Sequence, residues 1–254
     1  MILKLLSYPR SFLMILFFPL WTVICSLLAI FVILVFDNRR WEDQIVYLWT
    51  HVICWMFGVT VEVKGRENRP KGGFLYVFNH TSFFDIFAMS GYLGSFRFGA
   101  KIELFKIPFF GLAMKKAGIL PIARHRRDEV FKVYQGAEER VRNGERFALA
   151  PEGTRQSKEI LAPFKSGPFI FAINAKAPIV PVIVKGAAAA WPKHSWVPML
   201  GLWKQTITLE ILPPVSSEGY TIDRRPELQE KVRQVMLPYF PGSPVGPVRN
   251  VSPA

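Results

Sequence analysis

Between residues 74 and 87 the chain reads FLYVFNHTSFFDIF: an apolar run, a short polar break and a second apolar run. The first run, Phe74 to Phe78, is short, aromatic and β-branched, which predicts a buried strand. Ser82, with Asp85 three places on, has the form of a helix start. The same pattern recurs along the chain. Val59 to Val63 alternates as a strand and Arg66 to Gly73 is a polar turn. Phe96 to Ala100 and Ile119 to Ala123 are strand-like, Phe147 to Ala150 and Ile179 to Val184 read as buried strands, and Gln205 to Leu212 alternates as an edge strand. Helical spacing covers Lys101 to Lys116, interrupted by Pro108 and Gly111, then Asp128 to Arg142, Pro168 to Ala177 and Pro226 to Leu237. Strands alternating with helices predict an α/β fold, with a mainly parallel central sheet covered by helices on both faces.

The N-terminal pattern is different. Residues 11 to 36 hold no charged side chain, and as a helix they reach about 39 Å, enough to cross the hydrocarbon core of a bilayer. Asp37-Asn38-Arg39-Arg40 stands where a signal peptide would need small residues, which weakens that reading. Pro19 predicts a kink. Trp41 to Val59 places Ile45, Leu48, Trp49, Val52, Ile53 and Met56 at helical spacing and reads as an amphipathic interfacial helix. The α/β domain (59–240) is thus preceded by a membrane-associated helical pair (1–58), and 241–254, PGSPVGPVRNVSPA, has the composition of a disordered tail. Lys4 and Arg10 flank the apolar run on one side, Arg39 and Arg40 on the other, so charge does not choose an orientation. A simple span fits the length. A hairpin in one leaflet fits the basic flanks better, and places the active site at the cytoplasmic face.

Across 254 residues the net charge is +13 and half of the chain is hydrophobic. Such a charge implies an anionic partner. The hydropathy and the scattered basic residues point to an anionic membrane surface and not to nucleic acid. Cys25 and Cys54 lie in apolar surroundings and read as packing residues. No G-x-S-x-G, H-E-x-x-H or G-x-G-x-x-G occurs.

What carries chemistry is a set of polar groups where strands run out. His80 and Asp85, five apart, lie roughly 140° apart in one helix, so only a strand–turn–helix lets the carboxylate meet the imidazole. A base so oriented can take a proton from a hydroxyl. For the pair alone, a capping Asp85 and a plain turn histidine are the commoner reading. Strand 119–123 ends at Arg124, able to hold a phosphate through a bidentate fork or to belong to a solvated cluster with Arg126 and Arg127. Strand 147–150 ends in Pro151-Glu152-Gly153-Thr154-Arg155, suited to a polyol phosphate or to an ordinary loop ion pair. All fall at strand carboxyl ends, where open α/β sheets bind ligands.

These stretches resemble the glycerolipid acyltransferases typified by 1-acylglycerol-3-phosphate acyltransferase. Asn79-His80-Thr81-Ser82-Phe83-Phe84-Asp85 matches the family's N-H-x-x-x-x-D block, and Gly118 to Arg124 is similar to its second block. Pro151-Glu152-Gly153-Thr154-Arg155 matches the third, with Ala150 in place of the usual phenylalanine, and Ile179 to Ile183 resembles the fourth. Lys101-x-Glu103-Leu104-Phe105 looks like the segment that follows the second strand. The resemblance covers about residues 60 to 190. It implies transfer of a fatty acyl group from a thioester to the free sn-2 hydroxyl of 1-acylglycerol 3-phosphate, giving phosphatidic acid. His80 would be the base and Asp85 its orienting group. Arg124, with Lys101 and Arg155, would hold the phosphate, with Glu152, Gly153 and Thr154 completing the acceptor site. Backbone N–H groups at the helix start after His80 would meet the oxyanion. No metal or prosthetic group is expected; acyl-CoA or acyl carrier protein enters as co-substrate. Another acceptor, such as glycerol 3-phosphate or another lysolipid, or a non-catalytic lipid-binding membrane protein, are the alternatives.

Overall fold

A computed structural model describes residues 2–36, 38–157, 160–240 and 242. The expected tail lies outside these, apart from Gly242, and so does Asp37. Two long helices, α1 (Ile2–Phe36) and α2 (Arg39–Phe57), open the chain. After them come β1 (Val59–Lys64), β2 (Leu75–Phe78), α3 (Phe84–Tyr92), β3 (Arg97–Lys101), α4 (Phe110–Lys116) and β4 (Leu120–Ile122). The remaining elements are α5 (Arg127–Arg142), β5 (Phe147–Leu149), α6 (Gly167–Ala175), β6 (Ile179–Lys185), α7 (Ala187–Ala190), β7 (Gln205–Ile211) and α8 (Arg225–Met236).

The strands form one seven-stranded sheet in the order β1-β7-β6-β2-β5-β3-β4. Every neighbouring pair is parallel except β6 and β7. The mainly parallel sheet is as expected. Side chains alternate across it: Tyr76 and Phe78 of β2 enter one apolar core with α2 and α3, while Leu75 and Val77 enter a second with α5, α6 and α8. Because both faces are covered, β2, β5 and most of β6 are wholly apolar, which is why they read as buried strands.

Two expectations change. Gln205 to Leu212 is not an edge: β7 lies between β1 and β6, and β1 is the edge. The alternation arises because Ile207, Leu209 and Ile211 face the first core while Thr206, Thr208 and Glu210 face a side that α6 and α8 leave open. Alternation reports how many faces are covered, not how many neighbours a strand has. The second change concerns α2. Its Ile53, Cys54, Met56 and Phe57 are buried in the same core as Tyr76, Phe78 and Val182, so its apolar face is turned to the protein, and no gap in the packing marks a boundary at residue 58. Trp41, Tyr47, Leu48 and Trp55 are the apolar groups it leaves outside. Gly58 closes the helix in a left-handed conformation, and a Cβ there would stand 2.4 Å from the Trp203 carbonyl oxygen. A buried charge cluster also ties α2 to the sheet: Arg97 of β3 reaches Glu42 at 3.1 Å and Asp43 at 3.0 Å.

The first helix, α1, continues through Pro9 and Pro19 without ending. Ser7, Ser11, Cys25, Ser26, Ala29 and Val32 are buried, and Phe18 and Trp21 pack on the cores, so one stripe at helical spacing lies against the rest of the protein. The other faces, with Leu13, Leu16, Leu20, Phe31 and Leu34, are exposed.

Candidate active site

Because β2 is central and fully buried, the point where it stops is fixed from both sides. Asn79 continues its ladder with a side chain: the amide Nδ2 donates to the Val184 carbonyl and Oδ1 accepts the Val184 N–H, both at 2.8 Å. The chain then turns, and His80 Nδ1 meets Asp85 Oδ2 at 2.8 Å. Asp85 is fully buried, and the same oxygen accepts the N–H groups of Thr81 at 2.7 Å and Ser82 at 2.9 Å. The helix begins at Phe84, so Asp85 sits in its first turn, where the helix dipole favours a negative charge. Ser82 and Asp85 form the helix start that their spacing predicts: Asp85 accepts the Ser82 N–H, and the Ser82 hydroxyl accepts the Phe84 N–H at 3.2 Å while donating to the Trp191 carbonyl at 2.9 Å.

An imidazole that donates its Nδ1 proton to a carboxylate carries its lone pair on Nε2. His80 is 8% exposed, enough to reach one bound group and little solvent. The histidine and the carboxylate are thus arranged as a base and its orienting group. The N–H groups of Thr81 and Ser82 serve Asp85 and that of Phe84 serves Ser82, whereas the Phe83 and Asp85 N–H groups have no partner among the described residues.

The third block approaches from β5. Gly153 takes a left-handed φ of 72°, which turns Glu152 inward. Glu152 is 4% exposed; Oε1 accepts the His80 N–H at 3.1 Å and Oε2 the Ala162 N–H at 3.3 Å. The Gln156 N–H in turn donates to the His80 carbonyl at 2.7 Å. Glu152 holds the backbone of the base. Burial pushes its carboxyl from 4.5 up to about 8, against the pull of the two backbone N–H groups. Thr154 is exposed, and Ala150 packs at the edge of the first core.

The cations gather at the same sheet edge. Arg155 stacks its guanidinium 4.0 Å from the centre of the Phe83 ring. Burial lowers its pKa, the Asp85 charge opposes this, and Arg124 adds to it, so the two arginines lie within each other's field. Arg124, half-buried, is likewise lowered by burial and supported by Glu103. Neither arginine has a hydrogen bond or salt bridge among the described residues. Lys101, at the end of β3, pairs with Glu103 at 3.5 Å in an exposed contact. Glu103 therefore occupies the cationic ground that Lys101 and Arg124 share, a role its sequence gave no sign of. Asn79 and Gln156 were also missed, since their partners lie on distant strands and loops.

This architecture matches known proteins. The acyltransferase family model matches residues 60–185. The chain is 34% identical to the 1-acyl-sn-glycerol-3-phosphate acyltransferase of Saccharomyces cerevisiae over 193 residues, 74% of this chain and 62% of that one. It is 32% identical to the human 1-acyl-sn-glycerol-3-phosphate acyltransferase alpha over 227 residues, 88% and 79% of the two chains. With the chloroplastic enzyme of that name from Brassica napus, also 32% identical, the match spans only 48% of that protein's length. The crystal structure of the 1-acyl-sn-glycerophosphate acyltransferase of Thermotoga maritima superposes with a TM-score of 0.77 at 22% identity, covering 99% of each chain, which shows the fold. The chain is therefore an acyltransferase by family and fold. Within that class, the chain belongs to the 1-acyl-sn-glycerol-3-phosphate acyltransferase family.

The raised Glu152 pKa gives a pH prediction. The folded state then binds more protons than the unfolded state between pH 4.5 and about 8, so this group's contribution to stability falls as pH rises through that window. Glu152→Gln should flatten this part of the thermal-midpoint profile. An unchanged slope would show that Glu152 is ionised in the folded protein throughout.

Proposed function

We propose that the chain transfers a fatty acyl group from an acyl thioester to the free sn-2 hydroxyl of 1-acylglycerol 3-phosphate, giving phosphatidic acid. The observation that carries the reading is the 2.8 Å bond between His80 Nδ1 and a fully buried Asp85, which leaves Nε2 as the base. The names of the relatives supply the acceptor, and the cations at the same edge suit its phosphate. Nε2 takes the hydroxyl proton as the oxygen attacks the thioester carbonyl. The oxyanion collapses, the carbon–sulfur bond breaks, and the imidazolium returns its proton to the leaving thiolate. Asp85 stabilises the imidazolium meanwhile. Backbone N–H groups at the helix start meet the oxyanion, with Arg155, stacked on Phe83 beside the turn, adding positive charge there. Arg124 and Lys101 hold the phosphate, which displaces Glu103. The donor is acyl-CoA or acyl carrier protein thioester.

The protein is read as membrane-bound, with α1 and α2 forming a hairpin in the cytoplasmic leaflet. The stripe from Ser7 to Val32 supports this, because α1 lies along the domain and does not stand away from it.

Purified protein in detergent should acylate lysophosphatidate with one of the two donor types, and His80→Ala should lower turnover by about 10²–10⁴-fold. Asp85→Asn should leave more activity than His80→Ala. A folded His80→Ala protein with wild-type turnover would falsify the mechanism. The acceptor site is tested separately. Arg124→Lys should raise the acceptor KM and leave the donor KM nearly unchanged, since a point charge cannot replace a planar fork; equal effects on both would assign Arg124 elsewhere. For the hairpin, cysteines placed singly at positions 4 and 39 should both resist an impermeant thiol reagent in intact cells. Labelling at 4 alone would establish a span.

A further inference from the structure

We propose that residues 191–204, between α7 and β7, form a second membrane-docking element, with Trp196 entering the interfacial layer of an anionic leaflet beside α1. The proposal rests on the reading of α1 as membrane-bound. Trp196 is 91% exposed, more than any other large apolar side chain described, and Leu200 and Trp203 are exposed in the same segment. Tryptophan suits the interface, where its ring meets apolar chains and its N–H meets headgroups.

This tip is braced. Trp191 Nε1 donates to the Ser195 carbonyl at 3.0 Å, Ser195 Oγ to the Val197 carbonyl at 2.7 Å, and the Met199 N–H to the Ala190 carbonyl at 2.7 Å. Met199 is fully buried at a φ of 56°, a left-handed conformation that a side-chain-bearing residue rarely adopts. The fold thus fixes a turn that sinks Met199 and presents Trp196 and Leu200 to the outside.

The segment also runs alongside α1. At one end the Trp191 ring lies edge-on to Phe18, 6.3 Å between centres. At the other, Arg10 donates to the carbonyls of Trp203 at 2.7 Å and Leu202 at 2.9 Å and stacks 4.4 Å from the Trp203 ring centre. Phe18 and Arg10 are about 12 Å apart along the helix. In sequence Trp196 lies between these two fixed points, so the segment that carries it is held beside α1 at both ends. Charge selects the occupant. Residues 186–209 contain no Asp or Glu, while Lys193, His194 and Lys204 join Lys4 and Arg10 nearby, as an anionic leaflet requires. Trp191 also holds the Ser82 hydroxyl through its carbonyl at 2.9 Å, so the docked segment would brace the turn that carries His80.

The test places a cysteine at 196 (Trp196→Cys), labelled with an environment-sensitive fluorophore, in the full chain reconstituted into phosphatidylcholine vesicles containing phosphatidylglycerol. Cys25 and Cys54 remain, since both are buried and burial raises the Cys54 thiol to about 12; unsubstituted protein measures their labelling. Leu16→Cys on the exposed side of α1 and Lys231→Cys on α8, across the sheet, are the membrane and water references. The expected result is a blue-shifted emission at 196, lost iodide quenching, and quenching by acyl-chain spin-labelled lipid, as at 16. Water-like behaviour at 196 with insertion at 16 overturns the proposal and spares the membrane reading. Water-like behaviour at both removes the membrane reading itself. A probe at 196 that responds only to added acidic acyl carrier protein assigns the segment to the donor, and also overturns the proposal.

Discussion

One oxygen atom organises the site. Asp85 Oδ2 accepts the imidazole N–H of His80 and the backbone N–H groups of Thr81 and Ser82, so it closes the turn and sets the histidine tautomer at once. A buried carboxylate is costly unless it is hydrogen-bonded and its charge is met. Here three donors and the start of α3 meet it, with the Arg155 charge acting from the other side. The fold tolerates a buried anion because that anion holds together the strand end, the turn and the helix start.

The backbone of His80 is held by a different part of the chain. Glu152 takes its N–H and Gln156 supplies a donor to its carbonyl, so the loop after β5 grips the residue after β2. These two strands are neighbours in the sheet, which makes the grip short, although 72 residues separate the partners in sequence. The result is a division of labour within the third block. Glu152 faces inward as support, and Arg155 faces the site, with Gly153 supplying the left-handed turn that sends the two side chains opposite ways. Loss of Glu152 would therefore disturb the position of the base.

This explains how much was legible in the sequence. The strand–turn–helix that joins His80 to Asp85 is local, so spacing and helical geometry sufficed to predict it, and the parallel sheet followed from the alternation of element types. What was misread depended on partners far along the chain. The bonds that Glu152 makes to the His80 and Ala162 N–H groups could not be read from its own stretch. The apolar face of α2 carries the same periodicity whether lipid or protein covers it, and here β2 and α3 cover it. Alternation in β7 records one open face, and strand order is not encoded in any single strand.

The packing of α1 carries the reasoning to the membrane. A helix surrounded by lipid needs no polar stripe, yet Ser7, Ser11 and Ser26 are buried at helical spacing against the domain. Small residues there let the helix approach closely, and the bulky Leu and Phe side chains are left to the other faces. A helix committed on one side to the α/β domain cannot cross a bilayer without drawing the sheet's flanking elements in with it. On the proposed reading α1 therefore lies within one leaflet, its outer faces in the acyl chains. The sheet edge that carries His80, Arg124 and Arg155 then stands at headgroup depth. The acceptor would keep its acyl chain in the bilayer while its phosphate meets the arginines and its hydroxyl meets Nε2, so the reaction needs no extraction of lipid into water.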